Sequence, residues 1–348
     1  MKIALDVLGG DLSPMANIDG AIIYLNENGD SSADIILVGD KKTIESTLQS
    51  YNYNNSKLHI LHASECVSMN EKPSRIFKEK PNSTLVKAIK LVKDKEADAI
   101  VSAGNTGALL ASSLFLIGKI PGIRRPAFAP FIPSNNGGFI LCDAGANANS
   151  KPQHLVQFAL MAGAYMEHLV NRSDPRVALL NIGREKGKGN ELISNTYPLM
   201  EKHVENFIGN IEARYIMEGQ ADVIICDGFT GNIVLKLTEG IIKHLMEWLQ
   251  FLYKSHPSNN NISSEFLSIL KEIQNTLDHE EYGATPLLGI NGVVMKCHGS
   301  ASARGISNSL LAAQNTVKEK LIDDIQFRLS QHTEIFENST KIDETNPV

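Results

Sequence analysis

Short apolar runs that stop at glycine or aspartate alternate with longer stretches of helical period along most of the 348-residue chain. The runs predict strands over Lys2–Asp6, Asp34–Val38, Lys57–Leu61, Ala99–Ser102, Phe128–Phe131, Phe139–Cys142, Val177–Asn181, Val223–Cys226 and Val293–Lys296. Helices are expected after Pro14, Lys41, Asn82, Thr106, Pro152, Gly189 and Thr230, with a long one from about Ala301. Such alternation indicates a parallel α/β architecture. No repeat of fixed period and no domain-sized linker interrupts it, so residues 1–334 read as one large α/β domain. Residues 335–348 are polar with almost no apolar anchor and read as a flexible tail.

From Thr230 to Leu277 the pattern changes. Lys236, Glu239, Lys243, Glu247, Gln250 and Lys254 recur every three or four positions, opposite a broad apolar face of Ile233, Leu237, Ile241, Leu245, Trp248, Leu249 and Leu252. After the turn-like "KSHPSNNN" comes a second stripe, Ile262, Phe266, Ile269, Leu270, Ile273 and Leu277. This predicts a helical hairpin. Packing of the stripes on each other and on the sheet accounts for most of these residues. The outer group of Trp248, Phe251, Leu252 and Tyr253 beside Lys254 and His256 instead suits a boundary between water and lipid.

Composition narrows the function. The net charge is −6 and no basic stripe occurs, which argues against a nucleic-acid binder that relies on phosphate contacts. Cys66, Cys142, Cys226 and Cys297 lack metal or redox spacing and read as reduced thiols, most of them buried. The start "MKIALDVLGGD" is too polar for a signal peptide, and no segment is apolar enough to span a bilayer. A cytoplasmic protein is expected, with peripheral membrane contact still open.

In open parallel sheets, ligands bind in the crevice at the carboxyl ends of the strands. The loops expected there are rich in small polar residues: "GGD" at Gly9, Gly10 and Asp11, "SAGNTG" with Gly104, Asn105 and Thr106, and "DAGAN" with Asp143, Gly145 and Asn147. "KGKGNE" carries Lys188 and Asn190, and "DGFTGN" carries Asp227, Thr230, Gly231 and Asn232. Glycine lets backbone N–H groups approach an anion, and a helix N-terminus adds partial positive charge, so these loops form a candidate phosphate or carboxylate cradle. One such loop alone is more often a turn or a cap. Several converging loops favour a bound anion.

Familiar alternatives lack their parts. "LGGDLSP" is not G-x-G-x-x-G, "GREKGKGN" is not a P-loop, and "HGSAS" around His298 is not a nucleophile elbow. Asp6, Asp11, Asp143 and Asp227 are the carboxylates suited to a divalent cation, but their wide spacing suits capping and donor orientation better, and no metal is expected. Lys188, between Gly187 and Gly189, is the most reactive-looking candidate to meet a phosphate or a developing oxyanion, beside the simpler reading of a solvated loop lysine.

These blocks, with "NFIGNIEAR" and "PLLGINGVVMKCHGSA", resemble the PlsX-type phosphate acyltransferases in order and over nearly the whole chain to about residue 320. Two places depart from the family pattern: Leu8, where methionine is usual, and Gly283-Ala284-Thr285-Pro286, where Gly-Gly-Ala-Pro is usual. The resemblance implies a three-layer α/β/α sandwich like that of the isocitrate and isopropylmalate dehydrogenases and phosphotransacetylase, with a protruding helical hairpin. It implies transfer of a fatty acyl group from acyl carrier protein to inorganic phosphate, giving acyl phosphate for phospholipid synthesis, with no cofactor. It also implies a homodimer whose hairpin touches the inner face of the cell membrane, near the glycerol-3-phosphate acyltransferase that consumes the product. Lys188 and Asn232 are the implied catalytic residues. Gly9, Gly10, Asp11, Gly104, Asn105, Thr106, Asp143, Gly145, Asn147, Asn190, Asp227, Thr230, Gly231 and His298 are expected around the substrates. The rival readings are a phosphotransacetylase-like enzyme using coenzyme A, an NAD-dependent dehydrogenase on the related fold, and a non-catalytic scaffold for lipid-synthesis enzymes.

Overall fold

The computed structural model describes residues 1–68, 70–134, 137–170, 173–255, 268–269, 271, 273 and 282–332. Within them the strands divide between two sheets rather than lying in one. The first sheet has the order β3 (Leu58–His62), β2 (Asp34–Gly39), β1 (Lys2–Asp6), β4 (Ala99–Ser102), β12 (Val293–Lys296), β11 (Thr285–Leu288) and β5 (Ala127–Phe128). From β3 through β12 the neighbours are parallel, and β11 and β5 close the edge antiparallel. The second sheet has the order β6 (Phe131–Ile132), β7 (Phe139–Cys142), β10 (Val223–Ile225), β8 (Val177–Asn181) and β9 (Phe207–Glu212), parallel except for β6.

The expected strand over Phe128–Phe131 is two strands, one in each sheet. Pro130 at the break has no N–H to give a ladder, so the chain steps across there. Its carbonyl still accepts from Leu141, and Ala129 donates to the Pro286 carbonyl at 3.2 Å. Strands β9 and β11 are additions to the sequence reading. β9 is only partly buried and lacks a strong apolar run, while "TPLL" of β11 has a proline as its second residue and pairs with β12 through just two residue pairs.

Layering follows from side-chain alternation. On β1, Ile3 and Leu5 face the core shared with α1 (Met15–Asn28) and α9 (Ala303–Lys318), whereas Ala4 faces α4 (Thr84–Lys93) and α5 (Thr106–Leu116). The first sheet is thus the middle of three layers. In the second sheet, Ile140, Leu179 and Ile225 pack against α6 (Pro152–Val170), α7 (Glu191–His203) and α10 (Leu321–Ser330).

Helix α8 (Gly228–Ser255) carries two apolar stripes. Leu235, Ile242 and Met246 face a cavity, while Ile233, Leu237, Ile241, Leu245 and Trp248 are exposed on this single chain. The expected burial of this second stripe on the sheet is therefore absent. Of the second hairpin stripe, Ile269 and Ile273 are exposed, and Ile262, Phe266, Leu270 and Leu277 lie outside the described residues, as do His256 and the tail 335–348. Among the described residues no helix is long and apolar enough to cross a membrane.

Candidate functional site

Three loops at the carboxyl end of the first sheet touch one another directly. Asp11 N donates to the Gly299 carbonyl at 2.7 Å, joining the loop after β1 to that after β12. A Cβ on Gly9 would lie 2.7 Å from Gly104 N, and one on Gly10 would lie 2.9 Å from Ala103 Cβ, so the loops after β1 and β4 meet only because neither residue has a side chain. Beneath them the buried Asp6 accepts from Ser102 Oγ at 2.7 Å, and Ser102 Oγ accepts from Gly104 N at 3.1 Å. Burial raises the Asp6 pKa, opposed by the Thr84 and Ser102 hydroxyls and a backbone N–H. Asn105 caps α5 by accepting from Ala108 N at 2.9 Å, and its amide also donates to the Ser68 carbonyl. Thr106 opens the helix and is exposed.

A second group forms where β7 and β10, paired neighbours, reach their carboxyl ends. Buried Asp143 organises it. Its Oδ1 accepts from the N–H groups of Phe128, Gly145 and Ala146, and its Oδ2 from Asn147 N and Nδ2. Burial raises this carboxyl's pKa against the pull of those donors. Asn147 also donates from Nδ2 to the Pro126 carbonyl at 2.7 Å, so both residues shape the loop from within. Asp227 caps α8, accepting from Thr230 N at 2.9 Å and Thr230 Oγ1 at 2.7 Å. Asn232 is exposed, with its side chain across Gly145: a Cβ there would lie 3.5 Å from Asn232 Oδ1.

A third group follows β8, the strand next to β10. Gly189, at a φ of +103°, brings the Lys188 carbonyl to Asn181 Nδ2 at 2.9 Å, and Asn190 caps α7 by accepting from Ile193 N at 3.0 Å. The Lys188 side chain is exposed and makes no hydrogen bond or ion pair among the described residues.

A cavity of about 960 Å³ unites the first two groups. Asp11, Thr106, Lys296 and His298 from the first sheet line it with Asn232 from the second, and Phe128, Phe131, Ile132, Leu235, Ile242 and Met246 form an apolar wall. Lys188 and Asn190 are not among its lining residues. Lys296 is the residue that sequence reasoning passed over. It ends the apolar run "VVMK", a position easily read as a strand reaching solvent, yet its Nζ turns inward to the carbonyls of Cys297 and, at 3.3 Å, Ala103. Burial lowers its pKa, with Lys236 adding to the shift and Asp6 and Asp11 opposing it. The thiols of Cys142 and Cys226 are buried with pKa values pushed far up, which suits packing rather than nucleophilic attack. Among the described residues no three His, Cys, Asp or Glu side chains converge as metal ligands.

Comparison with known proteins gives the family and the fold. Residues 1–323 match the family model described as fatty acid synthesis protein. The phosphate acyltransferase of Dictyoglomus turgidum is 44% identical over 325 residues, covering 91% of this chain and 94% of its own length. That of Clostridioides difficile is 40% identical over 345 residues, covering 99% and 100%. In fold, a phosphotransacetylase from Streptococcus pyogenes matches with a TM-score of 0.61 at 15% identity over 92% of this chain and 94% of its own. EutD phosphotransacetylase from Staphylococcus aureus matches with a TM-score of 0.60 at 16% identity, over 91% and 94%. The α/β fold is therefore that of the phosphotransacetylases, and the chain belongs to the phosphate acyltransferase family of fatty acid synthesis proteins.

Proposed function

We propose that the chain transfers a fatty acyl group from the thioester of acyl carrier protein to inorganic phosphate. The observation that carries this reading is the two-sided cavity, with an apolar wall along α8 for an acyl chain and a polar end at Thr106, Asn232, Lys296 and His298 for an anion. A phosphate oxygen attacks the thioester carbonyl carbon; the C–O bond forms, the C–S bond breaks, and the sulfur leaves with its electron pair. Hydrogen phosphate dianion then yields acyl phosphate dianion, its proton passing to the thiolate. A thiol with a pKa of about 8.5 is a good enough leaving group to need little acid assistance. Positioning and oxyanion stabilisation are the protein's main contributions.

Asn232, on the cavity wall, orients the reactants through its amide, and Lys188 contributes positive charge from the neighbouring strand end. Gly9, Gly10, Gly104 and Gly145 allow backbone approach, while Asp143, Asn147, Asp227 and Asn190 hold the loops in shape. Asp11, Thr106 and His298 face the substrates. Residues 1–334 act as one catalytic domain. The exposed stripe on α8 suits pairing with a second copy, and its outer aromatic end suits the inner face of the cell membrane, beside the glycerol-3-phosphate acyltransferase that consumes the labile product. Incubation with phosphate and long-chain acyl carrier protein, against the matching acyl-CoA, with acyl phosphate trapped by hydroxylamine, tests donor and reaction together. Product from acyl-CoA alone would favour the coenzyme A reading.

A further inference from the structure

Lys296 lines the cavity with a part-buried ammonium. It ends β12 between β4 and β11, and its ammonium is anchored by the carbonyls of Ala103 and Cys297. An ammonium has three N–H donors, so two anchors leave one for the cavity that Lys296 lines. The anchoring carbonyls belong to the loop that opens α5 and to the loop that carries His298, so the charge sits beside the N-terminus of an eleven-residue helix. That end already favours an anion.

The electrostatics point the same way. Lys296 is costly to keep charged because of burial, and Lys236 on α8, which lines the same cavity, adds repulsion. Asp6 and Asp11 offset part of this. Lys236 also pairs with Glu239 at 2.8 Å. An anion held between the two lysines would remove the repulsion and favour the charged form of both.

We propose that Lys296 binds the phosphate co-substrate directly, donating its free N–H to a phosphate oxygen at the N-terminus of α5, with Lys236 as the second cation across the cavity. This rests on the acyl-transfer reading and assigns the anion to the first sheet. Lys188, outside the cavity lining, is then left to the thioester side. The same phosphate chemistry is present in the phosphodiester of a pantetheine arm, so free phosphate and arm must be separated by experiment.

Phosphate binding is measured on the full chain without acyl donor, by calorimetry and by following ¹⁵N-labelled lysine ammonium signals, with that of Lys296 identified by its loss in Lys296→Arg. Inorganic phosphate should shift the Lys296 signal. Lys296→Met should weaken phosphate binding at least tenfold and raise KM for phosphate more than it lowers kcat, and Lys296→Arg should recover part of both. A folded Lys296→Met protein that binds phosphate within twofold of the parent overturns the assignment. So does a Lys296 signal that moves with 4′-phosphopantetheine but not with phosphate. If Lys296→Met does not fold, the signal shift in the parent protein decides. Intact phosphate binding in a parent that makes no acyl phosphate would instead contradict the acyl-transfer reading and leave the Lys296 site standing.

Discussion

The main-chain oxygen of Asp143 occupies the space into which a side chain at Gly231 would project, and a Cβ there would also fall 2.9 Å from Cys226 Sγ. The first turn of α8 therefore lies directly on the end of β7. This contact sets where Asn232, one residue later, meets Gly145.

Gly231→Ala should consequently act on both stability and activity. The intruding atom is backbone, which cannot rotate away, so the helix start must shift at a cost of about 3 kcal/mol or more. Thermal unfolding should show a clear drop in Tm, and activity should fall further than the folded fraction. A variant with parental Tm and rate would mean that α8 moves freely at its start.

Lys188→Ala and Asn232→Ala change exposed side chains and should leave the fold intact. Each should lower turnover by at least about tenfold, the usual scale for losing a contact to a phosphate or developing oxyanion. Circular dichroism with steady-state kinetics checks both. A folded variant with near-parental kcat at saturating phosphate removes that residue from the catalytic group.

Activity should survive a strong chelator. Asp143 has its oxygens filled by donors from Phe128, Gly145, Ala146 and Asn147, and Asp227 has its own filled by Thr230, so a cation at either would displace hydrogen bonds that hold the loops. Assay after treatment with excess EDTA, with and without added Mg²⁺, measures this. Strict dependence on restored Mg²⁺ would show that these carboxylates release their donors for a metal.

The outer end of α8 should mediate reversible membrane contact. Phe251 is 65% exposed and Leu252 46%, next to Trp248 at 55%, so none of the described residues covers them. Phe251→Glu together with Leu252→Glu should abolish co-sedimentation with anionic liposomes while soluble activity and the mass of the species in solution stay unchanged. Persistent binding by the double variant, or no binding by the parent, ends this role for the helix.

The parallel core was legible because its strands are short apolar runs punctuated by Gly or Asp, as in "KIALD" and "FILC", which period and composition both identify. The division into two sheets was not, because it depends on one step at Ala129 and Pro130 inside a run that looks continuous. The loops around the cavity were legible as glycine-rich strand ends. Asn232 and Thr106 do line one cavity, since β7 and β10 are neighbours and α8 bridges to the first sheet. Lys296 was hidden because its inward turn depends on carbonyls of Ala103 and Cys297, and local sequence does not record which way a strand-ending lysine points.

Attack of a phosphate oxygen on the acyl carbon is tested most closely with fully ¹⁸O-labelled phosphate and long-chain acyl carrier protein, followed by mass spectrometry of the product. Phosphate as the acyl acceptor predicts acyl phosphate that retains all of the phosphate's labelled oxygens, one of them bridging to the acyl carbon. Release of free fatty acid with unlabelled carboxyl oxygens and no acyl phosphate would contradict it.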